Sequence, residues 1–113
     1  HNTAAAEALR LGECAGLEKD MIYKVLGNSA ATSVMLQKRM PLMINQNYDP
    51  PTASFNIFLK DVDIIRNFIK NNNVILPTFE GSAKIYDKAE KTLSKNWDTA
   101  SVYEVLKMEN VNE

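Results

Sequence analysis

The sequence holds one cysteine, Cys14, and one histidine, His1. A single cysteine forms no internal disulfide and no thiolate zinc site, and one histidine adds too little for a transition-metal centre. Glycine is scarce as well: Gly12, Gly16, Gly27 and Gly81 are the four, and no set of them has the spacing of a phosphate-cradling loop. A Gly-x-Ser-x-Gly elbow is absent. No apolar run approaches the ~20 residues that span a bilayer. The first residues lack the charged n-region of a signal peptide. Neither charge dominates, since 13 basic and 14 acidic side chains leave a formal net charge of -1. Without a basic excess to neutralise a phosphate backbone, a nucleic-acid module is disfavoured. A reducing, aqueous compartment fits this composition: the cytoplasm, with the mitochondrial matrix as second choice.

What remains is an ordinary globular composition, 45% hydrophobic and 24% charged over 113 residues, enough for one domain. Every long segment reads at helical period and none alternates at period two. Thr3 to Cys14 is rich in alanine and leucine, the best helix formers. It starts with no approach segment and so reads as the tail of a longer helix. Gly12 inside it suggests close packing, and Gly16 suits a left-handed C-cap. Glu18 to Leu26 is the second helix, with Met21, Ile22, Val25 and Leu26 on one side. Ser29 to Ser33 offers N-caps for a third, Val34 to Ile44, which Pro41 should kink or bring to its last turns.

Asn45 to Ser54 contains Pro50 and Pro51 and reads as a long loop, packed and functional, with Tyr48 as its anchor. The fourth helix is the most apolar. Phe55, Phe58, Leu59, Val62, Ile65 and Ile69 form a stripe that Ile57, Ile64 and Phe68 widen, which predicts a central helix. Asn71-Asn72-Asn73 ends it, and Val74-Ile75-Leu76-Pro77 connects onward. Pro77 opens a fifth helix at about Thr78, with Phe79, Ala83, Tyr86, Ala89 and Leu93 inward. Lys95 to Asp98 is a turn. Asp98 or Thr99 caps a sixth helix with Val102, Val105 and Leu106 inward, and Met108 to Glu113 frays. The fold expected is all-α, one domain of five to six helices.

Chemistry is sparse in this pattern. His1 at a mobile terminus is a poor catalyst, and Cys14 reads as a small buried residue rather than a nucleophile. Glu18, Asp20, Glu104 and Glu109 read as solvated faces. Lys60-Asp61 stands out in the middle of the most apolar helix. Lys60 has two readings: a snorkelling stem with Asp61 in a local ion pair, or a cation presented at the edge of a ligand site.

Several stretches resemble a known family in the right order. They are Thr3-Ala4-Ala5-Ala6-Glu7-Ala8-Leu9 with Ala15-Gly16-Leu17, then Ser33 with Arg39-Met40, Tyr48-Asp49-Pro50, Asn56-Ile57-Phe58-Leu59-Lys60-Asp61, Val74-Ile75-Leu76-Pro77, and Asp98-Thr99-Ala100-Ser101-Val102. Together they resemble the C-terminal all-helical domain of the β-hydroxyacid dehydrogenases, which include 3-hydroxyisobutyrate, tartronate semialdehyde and L-threonate dehydrogenases. The wording around Lys60 is most similar to the threonate type. The likeness covers nearly the whole chain and implies a 6-phosphogluconate dehydrogenase C-terminal-like bundle.

The resemblance also implies a division of labour. Family members carry an N-terminal Rossmann domain and a catalytic lysine on an interdomain helix, and that lysine would lie upstream of residue 1. Residues 1–113 would then be the C-terminal domain alone, inactive by itself, with no catalytic residue, no metal and no cofactor held by the fragment. In the whole enzyme NAD or NADP would be bound, with Lys60 and Asp61 on its side of the cleft. Ser33, Thr52 and Ser54 would lie on the side of a small hydroxyacid substrate. Thr32-Ser33-Val34 departs from the Asn-Ser-Trp of the threonate type, which bears on substrate identity. The partner expected is a second copy, at least a dimer, through the alanine face of the first helix and the strip around Phe55 and Phe58. The other reading is a stand-alone, non-catalytic helical association module.

Overall fold

A computed structural model describes residues 1–108. Six α-helices and one 3-10 turn follow in order: α1 Asn2–Cys14, α2 Lys19–Gly27, α3 Val34–Asn45, α4 Phe55–Asn72, α5 Pro77–Thr92, the turn Thr99–Ser101, and α6 Val102–Met108. The domain is all-α, as the periodicity predicts; among the described residues the only β-type pairing is a single bridge between Ser54 and Asp98. Residues 109–113, including Glu109 and most of the tail expected to fray, lie outside the described residues.

The core forms where α1 packs against α3 and α6. Ala5, Ala6 and Leu9 of α1 meet Leu36, Met40 and Met43 of α3, with Val102, Tyr103 and Val105 of α6. Alanine lets the helix axes approach closely, and the flexible methionines fill what is left. Gly12 serves the same end. A Cβ at that position would stand 2.5 Å from the Ile22 side chain, so α2 crosses α1 there with no room for a methyl group. Gly16 has φ of +83° and turns the chain out of α1 in the left-handed region that glycine tolerates.

α3 opens on Ser33, whose Oγ accepts the Leu36 amide at 2.8 Å. The helix runs through Pro41 to Asn45. Proline has no N–H for the carbonyl four residues back, that of Gln37. The Tyr23 hydroxyl donates to that carbonyl at 2.9 Å instead. A residue of α2 thus mends the defect that proline makes in α3.

The largest departure from expectation is α4. It is the most apolar helix by pattern, yet only Phe55 and Val62 are buried in it. Ile57, Ile64 and Phe68 are exposed, and Ile65 largely so. α4 is peripheral and α1 is central. The wheel explains the split: at 100° per residue, Phe55, Phe58, Leu59, Val62 and Arg66 share one face, and Ile57, Ile64 and Phe68 lie opposite. Too few neighbours surround α4 to cover both. The expected self-association strips are also corrected, since Phe55, Ala5 and Ala6 are consumed by the core. Met21 and Val25 on α2 are also exposed. Cys14 is exposed as well, because α1 ends there and its last turn leaves the core.

Candidate functional site

The loop between α3 and α4 is packed, and a buried carboxylate holds it. Asp98 is fully buried. Its Oδ2 accepts the Thr52 amide at 2.9 Å, the Thr52 hydroxyl at 2.8 Å and the Ala53 amide at 3.1 Å. Its Oδ1 accepts the Ala100 amide at 2.8 Å, which caps the 3-10 turn. Arg39 Nε of α3 lies 3.2 Å from Oδ1, a charge contact too bent to be a hydrogen bond. Burial alone would raise the Asp98 carboxyl. The Ala100 amide, the Thr52 hydroxyl and the other donors outweigh that and hold it below the usual carboxylate range.

The backbone adds to the tie. Asp98 N donates to Tyr48 O, Thr99 N to Ala53 O, Phe55 N to Trp97 O and Asn56 N to Lys95 O. Residues 95–99 therefore run beside residues 48–56 and fix the start of α4. Tyr48 anchors the loop as expected: it is buried, its ring lies 5.5 Å from that of Trp97, and its hydroxyl donates to Glu104 at 2.6 Å. Burial first, then the Glu104 carboxylate, pushes the Tyr48 phenol up, so it stays a donor. Glu104 is not a bare solvated charge, for it also accepts Gln46 and pairs with Lys107 at 2.9 Å. Tyr103 makes the matching contact to Glu13, which Lys19 also pairs.

The five residues singled out by the resemblance fall on three stretches of chain. Ser33 caps α3 and lines a cleft of about 310 Å³ with His1, Ala4, Ala8, Ala31 and Thr32. Thr52 and Ser54 lie in the loop; the Thr52 hydroxyl is engaged by Asp98, and Ser54 precedes α4 without a side-chain cap bond. Lys60 and Asp61 are exposed on α4. Neither has an ion pair within 4 Å among the described residues, so the local pairing expected for Asp61 does not form. A neighbouring cleft of about 240 Å³, lined by His1, Asn2, Met35, Phe58, Ser82 and Tyr86, joins the starts of α1 and α3 to α4 and α5. Ser33 lines the first of these clefts, and neither Thr52 nor Lys60 lines either of them.

The Asp98–Arg39 pair was not legible in the sequence, although both residues stand in motifs already quoted. Motifs give order along the chain, and this contact joins residues far apart in it. Among the described residues no cluster of histidine, cysteine, aspartate or glutamate could hold a metal ion. No helix among them is long and apolar enough to cross a membrane.

Comparison with known proteins fits this architecture. Residues 1–106 match the family described as "NAD-binding of NADP-dependent 3-hydroxyisobutyrate dehydrogenase". L-threonate dehydrogenases of Cupriavidus necator and of Escherichia coli K12 are each 29% identical over 106 residues, 94% of this chain and 35% of theirs. The chain thus spans about a third of the length of these relatives. A 3-hydroxyisobutyrate dehydrogenase from Salmonella typhimurium superposes with a TM-score of 0.86 at 28% identity, covering 93% of this chain and 36% of that one. The 3-hydroxyisobutyrate dehydrogenase of Mycobacterium tuberculosis shares the fold, with a TM-score of 0.83 at 20% identity over 94% of this chain and 38% of that one. With a family model spanning residues 1–106, the chain belongs to the C-terminal helical domain family of the 3-hydroxyisobutyrate and L-threonate dehydrogenases.

Proposed function

We propose that this domain is the far wall of the active-site cleft in an NAD(P)-dependent dehydrogenase acting on a small β-hydroxyacid of the 3-hydroxyisobutyrate or threonate kind. Such a cleft lies between domains. The helical domain then acts with a nucleotide-binding half and does not turn over alone. The observation that carries this reading is the family match across residues 1–106.

The chain's own groups suit the task. Lys60 is exposed on a helix with no carboxylate within 4 Å among the described residues, so its ammonium can meet an anionic group, as NAD or NADP would present. When bound, that cofactor supplies hydride transfer. Lys60 would hold it, with Asp61 beside it on the same exposed turn of α4. Ser33 Oγ accepts the Leu36 amide and keeps its O–H to donate to a substrate oxygen. Thr52 gives its O–H to Asp98 and keeps lone pairs to accept a substrate hydroxyl. Ser54 completes the substrate side. The compartment proposed is the cytoplasm.

The test is Lys60→Gln in the polypeptide that joins this domain to its nucleotide-binding half. A large loss of cofactor affinity is expected, and unchanged kinetics removes Lys60 from the site. A second reading, a non-catalytic association module, is favoured by one observation: Ile57, Ile64 and Phe68 form an uncovered apolar face. That face also supports self-association of the dehydrogenase, at least to a dimer. The intact mass of the native protein, captured from its source, separates the two readings. A mass well over twice 12.7 kDa leaves room for a nucleotide-binding half, and 12.7 kDa favours the module.

A further inference from the structure

The candidate site residues sit on three stretches of chain; one buried ion pair joins two of them, and the residues just before its aspartate hold the third. Arg39 stands on α3, less than two turns beyond Ser33. Asp98 Oδ2 gathers the Thr52 hydroxyl and the Thr52 and Ala53 amides. The start of α4 hangs on the residues just before Asp98, through Phe55 N to Trp97 O at 3.0 Å and Asn56 N to Lys95 O at 3.2 Å. Lys60 follows on the same rigid helix.

Capping the 3-10 turn requires only one acceptor, and Oδ1 supplies it to Ala100. A serine or an asparagine would do as much. The second oxygen with its three donors and the buried cation on α3 go beyond capping. A buried charge is retained at a desolvation cost, so its geometry asks for a reason. Two oxygens pointing at different segments fix the loop and α3 to each other at one point.

We infer that Asp98, held by Arg39, is a positioning residue: it sets the loop bearing Thr52 and Ser54, and the start of α4, relative to α3. It thereby fixes the spacing between the substrate-side hydroxyls and the Lys60 ammonium. This inference rests on the proposed function, in which those groups face one cleft.

The experiment compares Arg39→Gln and Arg39→Lys with Lys60→Gln in the polypeptide that joins this domain to its nucleotide-binding half. Arg39→Gln keeps a polar side chain of similar length and removes the charge. Assayed well below its melting temperature, it raises KM for the hydroxyacid severalfold while kcat changes less. Arg39→Lys, which restores the charge, recovers most of that loss. A merely structural pair lowers Tm and leaves KM at the wild-type value, and that result overturns the inference. If Lys60→Gln raises the cofactor KM while Arg39→Gln leaves the hydroxyacid KM unchanged, the inference fails alone. If Lys60→Gln changes nothing, the proposed function fails, and amide exchange decides the rest. In the 113-residue chain the Thr52 and Ala53 amides exchange severalfold faster in Arg39→Gln and measurably but less so in Arg39→Lys, which serves if Arg39→Gln does not fold, while those of α1 do not change. Unchanged exchange at Thr52 and Ala53 overturns the inference.

Discussion

α1 and α4 invert what their compositions suggest. α1 is built from alanine with a few larger side chains, and Ala5, Ala6 and Leu9 are almost wholly buried. α4 is built from isoleucine, phenylalanine and valine, yet four of its nine large apolar side chains, Ile57, Ile64, Ile65 and Phe68, face solvent and only Phe55 and Val62 are buried. Burial follows the number of helices that can reach a face, and small residues admit more of them. α1 lies against α2, α3 and α6, whereas α4 leans mainly on α5. Hydrophobicity left uncovered on α4 is therefore a statement about partners rather than about the core.

The sharpest break of this comparison is in the core. Leu9→Ala opens a cavity where α1, α3 and α6 meet and is expected to cost about 2–5 kcal/mol by chemical denaturation. Phe68→Ser removes a larger side chain from α4, yet it should change stability by less than ~0.5 kcal/mol. If Phe68→Ser destabilises as strongly as Leu9→Ala, the contrast between the two helices is wrong.

The next prediction uses acid to separate the regions. The Asp98, Glu13 and Glu104 carboxyls are all held below their ordinary values. A carboxyl lowered on folding adds stability that is fully present above its unfolded pKa, ~4 here, and is lost as pH falls through the folded value. Tm should therefore be flat near neutrality and decline from about pH 5 downward. These three grip the α1–α3–α6 region and the fourth lowered carboxyl, Asp87, lies on α5, so the α1–α3–α6 region carries the larger part of the decline. Glu13→Gln is expected to flatten it. An unchanged slope assigns the acid loss elsewhere.

A smaller effect is expected at the clamp between α4 and α5. Arg66 donates both of its terminal nitrogens to Asp87, each at 2.8 Å, and one of them to Glu80 at 3.1 Å. That hydrogen-bonded guanidinium holds the Asp87 carboxyl low, against burial. The cluster is partly solvated, so Arg66→Met should cost about 0–1 kcal/mol globally. Amide exchange along the second half of α4 should rise while that of α1 stays put. Equal acceleration in both helices would mean they unfold as one unit. The smallest effect concerns association: Ile64→Ser lowers any self-association seen in sedimentation and leaves Tm almost unchanged.

Most of the fold was legible because helices announce themselves locally. Apolar spacing, Ser33 before α3, Pro77 at the head of α5 and Gly16 after α1 each act within a few residues. What was not legible was which helix sits in the middle, because pattern reports the width of an apolar face and not what comes to cover it. Cys14 is exposed rather than buried for the same reason: its helix leaves the core in its last turn. Of the proposed site, sequence offers only separate residues, Ser33, Thr52, Ser54 and Lys60. The contact joining their segments was not legible, because Asp98 and Arg39 meet only after the chain has folded back on itself.

The α4–α5 hairpin leaves the body of the protein at Phe55 and returns at Lys95, and these ends are hydrogen-bonded side by side. Between Val62 and Ala83 no residue is buried. The outer part of this hairpin is thus free to change length. Matched turns could be added to both helices beyond Arg66 and Asp87, or removed from them, with the reach of the tip altered and the core untouched. This is the place where a lineage can acquire or discard a neighbour while its core stays the same.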